Sequence, residues 1–94
     1  MSLLPLTAAE LAAALAALPA WAVEDGKLTT RRTLPSFPAA IGFVQQVAQV
    51  AEELDHHPDI DIRWRTVTLA VSTHAAGGAL TRFDVKLAAR IDEL

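Results

Sequence analysis

Three histidines are the residues of this chain best suited to chemistry. They stand in two places, His56-His57 ahead of Pro58 and His74 near the end of a β-prone run. Imidazole exchanges protons close to neutral pH, so histidines gathered at one site can perform general acid–base work. Taken singly, each has an ordinary explanation: His56 and His57 would favour the negative end of a helix dipole, and His74 would be a strand-end residue. Glu52 stands one helical turn before His56 on the same face and could orient it. Asp84 reads as the acidic member of a Thr81-x-x-Asp84 capping box, which leaves room for a second role. A metal site made of the three histidines is a competing reading. Helical ligands usually stand three or four apart, however, and adjacent His56 and His57 diverge by about 100° on an ideal helix. No metal is therefore expected. The absence of cysteine removes disulfides, zinc fingers and thiol nucleophiles from consideration.

The elements that must position these residues can be read in order. Thr7 and Glu10 form a capping box, followed by Leu11, Ala14, Leu15 and Leu18 at helical spacing, and Pro19 ends this short helix. Trp21–Val23 and Leu28–Leu34 are β-prone and flank Asp25-Gly26, the signature of a type I′ hairpin turn. Ser36 caps a long helix with Pro38 in its first turn. Its apolar stripe is Phe37, Ala40, Ile41, Val44, Val47, Ala48, Ala51 and Leu54, and Gln45, Gln46, Gln49, Glu52 and Glu53 stand opposite. Pro58 must stop it, so the helix closes on Asp55-His56-His57. From Asp59 to Thr73 the apolar parity switches, with Ile60, Ile62 and Trp64 even and Val67, Leu69 and Val71 odd. One strand cannot change its buried face without a break, so a turn is expected near Arg65-Thr66. A loop around Gly77-Gly78 leads to a last helix lined by Phe83, Leu87, Ile91 and Leu94. The order αββαββα predicts a two-layer α+β domain, a four-stranded antiparallel sheet with three helices packed on one face.

Length and composition set the remaining limits. A chain of 94 residues suffices for one domain, spanning residues 1–94. A chain this small and 52% hydrophobic would gain from burying surface against copies of itself. The net charge is −3 and the basic residues are scattered, which argues against direct nucleic-acid binding. The apolar run Leu11–Leu18 follows no Lys or Arg, abuts Glu10 and is too short to span a bilayer. No membrane association and a cytoplasmic location are expected. Met1-Ser2-Leu3 is assigned no role.

The combined spacing is far more specific than its parts. It reads Glu52-x3-His56-His57-Pro58, five residues, Trp64, nine residues, His74, nine residues, Asp84. With Phe43-Val44, Val47-Ala48, Leu54-Asp55, Ser72-Thr73, Gly77-Gly78 and Leu80-Thr81, this resembles the pterin-4a-carbinolamine dehydratase family, most strongly from about Leu34 to Leu94. The chain departs from the family pattern at Ala75, commonly acidic or polar there, and at Ala79, an additional residue between Gly78 and Leu80. The resemblance implies removal of water from a 4a-hydroxytetrahydropterin to give a quinonoid dihydropterin, with no cofactor. It implies His56, His57 and His74 as the acid–base set, and Asp55, His56, His57, Ser72, Thr73, His74 and Ala75 as the substrate-binding segments. Glu52 and Asp84 would be supporting groups. It further implies a homodimer or homotetramer. The alternative is a non-catalytic dimerisation or coactivator-type module, since animal relatives also act as a dimerisation cofactor for a homeodomain transcription factor. Because all three histidines sit at element ends, they are expected to reach solvent or a pocket, so their loss should cost little stability.

Overall fold

A computed structural model describes residues 3–94; Met1 and Ser2 lie outside the described residues. The elements are α1 (Ala8–Ala17), β1 (Ala22–Glu24), β2 (Lys27–Thr33), α2 (Phe37–Leu54), β3 (Asp59–Arg63), β4 (Thr66–Val71), a 3₁₀ turn at His74–Ala76, and α3 (Arg82–Asp92). The four strands form one antiparallel sheet in the order β1-β2-β4-β3. The predicted α+β architecture and element order are those observed.

Each hairpin follows from local chemistry. Asp25 and Gly26 both take positive φ, 51° and 75°, as a type I′ turn requires, and pair Glu24 with Lys27. The β3–β4 turn falls on Trp64-Arg65, one residue earlier than the parity switch suggested, with Arg63 opposite Thr66. Trp64 adopts φ 56° and is 72% exposed, so it is not the third inward residue of β3. A bulky side chain in the left-handed region is uncommon. Here the Arg65 guanidinium stacks over the indole at 4.9 Å, and Leu34 N donates to Arg65 O at 2.9 Å. The two halves of the segment keep a common face, because Ile60 pairs with Leu69 and Ile62 with Val67.

Val67, Leu69 and Val71 of β4 and Leu28 of β2 are buried, and with Val47, Val50 and Ala51 of α2 and Leu87, Ala88 and Ile91 of α3 they make the core. The buried stripe of α2 is narrower than the expected one: Val50 joins it, whereas Ala48 and Phe37 are exposed. Leu94 lies beyond the end of α3 and is exposed. The end of α3 is fastened to the first hairpin by Asp92, which accepts from Trp21 Nε1 at 2.9 Å and pairs with Arg32 at 2.5 Å. Helix α1 has no fully buried residue and leans on the core through Leu15 and the following Leu18. Its entry is tied down by Leu6 N donating to Leu80 O at 2.8 Å, just before α3.

Candidate active site

The C-terminus of α2 and the C-terminal end of β4 open on one cavity of about 580 Å³. Its lining is Asp55, His56 and His57 from the first, Ser72, Thr73, His74 and Ala75 from the second, and Leu3, Leu54 and Phe83 around them. The three histidines, separated in sequence, thus share one cavity. So do the four other residues assigned to substrate binding from the sequence.

How α2 ends decides where its histidines go. Asp55 is left-handed (φ 49°, ψ 44°), His56 N donates to Ala51 O at 3.0 Å, and Asp55 N donates to Glu52 O at 3.2 Å. These are the bonds of a Schellman motif, with aspartate in the position usually held by glycine. The chain therefore leaves the helix before His56, and Glu52 and His56 do not share a helical face as expected. Glu52 instead accepts from His57 Nε2 at 2.5 Å, in a pair that is largely solvent-exposed. His56 swings across to α3, where its Nε2 donates to Asp84 Oδ1 at 2.6 Å.

Asp84 is fully buried, and a buried carboxylate is tolerated only when its oxygens are satisfied. Oδ1 takes the His56 bond, and Oδ2 accepts from Thr73 Oγ1 and from Thr81 N, both at 2.8 Å. Thr73 spends its single hydroxyl proton on Asp84, so the proton in its 2.6 Å contact with Thr81 Oγ1 comes from Thr81. Thr81 Oγ1 in turn accepts from Phe83 N at 3.2 Å. No buried side-chain nitrogen or oxygen among the described residues lacks a partner. The capping box predicted for α3 is thus present and has a second function. It holds the carboxylate that fixes His56.

This corrects the expectation that all three histidines are free of the core. The His56 side chain is only 14% exposed and is clamped between Asp84 and the Phe83 ring, whose centroid is 6.1 Å from its own. His57 and His74 are exposed, as expected, and the His74 side chain makes no hydrogen bond among the described residues. His74 is placed instead by its backbone. Thr73 N donates to Ala79 O and Gly78 N to Thr73 O, each at 3.0 Å, and Gly77 N donates to His74 O at 3.0 Å. Gly77, at φ 69°, supplies the left-handed residue that closes this turn. The additional Ala79 is absorbed as the bridge partner of Thr73, leaving His74 and Ala75 on the cavity.

Leu3, Leu54 and Phe83 line the site without having been assigned to it from the sequence. Phe83 was legible only as a member of an apolar helix stripe, Leu54 also belongs to the Leu54-Asp55 pair of the family pattern, and nothing in the sequence pointed to Leu3. Trp64, part of the spacing pattern, is not among the residues lining this cavity. No group of three or more histidine, cysteine, aspartate or glutamate side chains among the described residues is arranged to hold a metal ion. None of the described helices is long and apolar enough to cross a membrane.

The pterin 4 alpha carbinolamine dehydratase family profile matches residues 4–94. Relatives bearing that family name are 53% identical in Nocardia farcinica (90% of this chain, 88% of theirs) and 54% identical in Roseiflexus castenholzii (92% and 91%). A crystal structure from Brucella melitensis, described as a transcriptional coactivator/pterin dehydratase, superposes with TM-score 0.88 at 34% identity, covering 96% of this chain and 97% of that one. On sequence and on fold, the chain belongs to the pterin 4 alpha carbinolamine dehydratase family.

Proposed function

We propose that the protein dehydrates 4a-hydroxytetrahydropterins, and that His56 and His74 carry the proton transfers. The observation that supports this most is the convergence of His56, His57 and His74 on one cavity of about 580 Å³, a size suited to a small bicyclic ligand. In the reaction the C4a–O bond breaks, a proton joins the departing hydroxyl to make water, and N5 gives up its proton as the N5=C4a double bond forms. One proton is delivered and one removed, so no electrons are exchanged and no cofactor is called for.

The Asp84 contact holds the proton of His56 on Nε2 and leaves Nδ1 as the acceptor of that ring. This suits His56 to be the base that takes the N5 proton. His74, exposed and without a side-chain partner, suits delivery of a proton to the hydroxyl and its recovery from solvent. His57, paired with Glu52 at the rim, contributes to binding and to the local charge. The Asp55 and Ser72–Ala75 segments, which line the cavity, would bind the amide and amino edge of the pterin. Asp84 acts through His56 and is a positioning residue.

The protein is further proposed to work as a homodimer or homotetramer, in the cytoplasm. The coactivator reading stands as the alternative because the Brucella melitensis protein is described by both terms. The deciding experiment supplies a 4a-hydroxytetrahydropterin, generated in place, to chelator-treated protein and follows quinonoid dihydropterin by absorbance. Acceleration over the spontaneous reaction is expected. Its absence would leave the coactivator-type module as the better account.

A further inference from the structure

The chain has eight basic side chains, and five of them are neutralised by carboxylates: Lys27, Arg31, Arg32, Arg63 and Arg90. A sixth, Arg65, lies over the Trp64 indole. Arg82 and Lys86 remain, and neither has an ion pair or a side-chain hydrogen bond among the described residues. They stand four apart on α3 and so share one face of its N-terminal half, the positive end of the helix dipole. Together with Phe83 they line a second cavity of about 400 Å³. Phe83 is common to both cavities. Its ring centroid is 6.1 Å from that of His56, and the Arg82 guanidinium carbon is 5.3 Å from the same ring.

In a chain of net charge −3, two neighbouring cations left without carboxylates repel each other and gain from an anion placed between them. A guanidinium offers a planar fork to a phosphate or carboxylate, and an ammonium adds a movable point charge. We propose that Arg82 and Lys86 form an anion subsite continuous with the histidine cavity across Phe83, and that it takes the negatively charged end of the side chain borne by the pterin. The proposal rests on the pterin reading of the first cavity and extends it. The preferred ligands would be pterins whose side chain ends in a phosphate or carboxylate.

The test is calorimetric titration of the full chain with 7,8-dihydroneopterin, with its 3′-monophosphate and with inorganic phosphate alone. Wild type is compared with the double variant Arg82→Gln, Lys86→Gln. Wild type should bind the phosphate ester about tenfold more tightly than the neutral pterin, the size of one charge-assisted contact to a partly exposed anion. That preference should shrink as salt is raised and vanish in the double variant, with affinity for the neutral pterin unchanged. Equal binding of the two pterins by wild type, or a preference that survives in the double variant, would overturn the proposal. Phosphate bound alone, with no gain for the ester, would show a free-anion site and overturn the claimed continuity. Failure of the neutral pterin to bind would instead sink the reading of the first cavity, and this proposal with it.

Discussion

Replacing Asp84 with asparagine should change the chemistry of His56 while leaving its position almost intact. Oδ2 faces two donors, the Thr73 hydroxyl and the Thr81 amide, so the asparagine carbonyl must take that place. Its NH₂ then points at His56 Nε2, where the carboxylate had accepted a bond at 2.6 Å. To avoid two opposed donors, the imidazole must carry its proton on Nδ1, which ceases to be an acceptor. A base held in the wrong tautomer should lose roughly 10²–10⁴-fold in turnover, the size of a general-base contribution. Three bonds to a carboxylate become neutral ones, and at about 1 kcal/mol for each the change costs about 3 kcal/mol for this buried group. For a domain of this size that lowers Tm by roughly 12–24 °C. The assay is turnover well below the new Tm, beside thermal unfolding at fixed protein concentration. A folded Asp84→Asn variant with wild-type turnover would refute the assignment of His56 as a base oriented through Asp84.

Other substitutions should separate stability from activity. His74→Ala should lower turnover by roughly 10²–10⁴-fold and leave Tm nearly unchanged, because the side chain is exposed and has no hydrogen-bond partner among the described residues. His56→Ala should cost activity and also about 1–3 kcal/mol of stability, since it strips one donor from the buried Asp84; an unchanged Tm would contradict that clamp. Glu52→Gln should alter stability by less than about 0.5 kcal/mol, as expected for an exposed pair, which chemical denaturation can check. At the other end of the chain, the Thr7 amide and hydroxyl hold the Glu10 carboxyl below its ordinary value of 4.5. A lowered folded pKa means that this cap is fully effective above 4.5 and is lost as pH falls through the folded value. Amide exchange in α1 should therefore rise in acid, after correction for intrinsic rates, before the sheet is affected.

Much of this arrangement was legible in the residues. Asp25-Gly26 could only be a tight turn, Ser36 and Pro38 mark a helix start, and the parity change between Trp64 and Val67 demanded a break. The family pattern placed the histidines on one site by resemblance. The pairings within that site were not legible, because the helical face was extended beyond the helix. The ordered end of α2 depends on Asp55 adopting a left-handed conformation, for which Pro58 three residues later gives only the approximate location. Past that point Glu52 and His56 no longer share a face, and the partner of His56 comes from an element 28 residues away. Leu3 was not legible either: it lines the cavity from a segment that Leu6 N ties to Leu80 O, a tertiary contact with no local signature.

The central claim is that the cavity histidines, and not merely the fold, accelerate loss of water from a 4a-hydroxytetrahydropterin. The most direct measurement is single-turnover formation of quinonoid dihydropterin by wild type, His56→Ala and His74→Ala under identical conditions, each variant first shown to be folded. Wild type should accelerate the reaction clearly, with roughly 10²–10⁴-fold of that acceleration lost in either variant. Wild-type rates in both variants would contradict the claim.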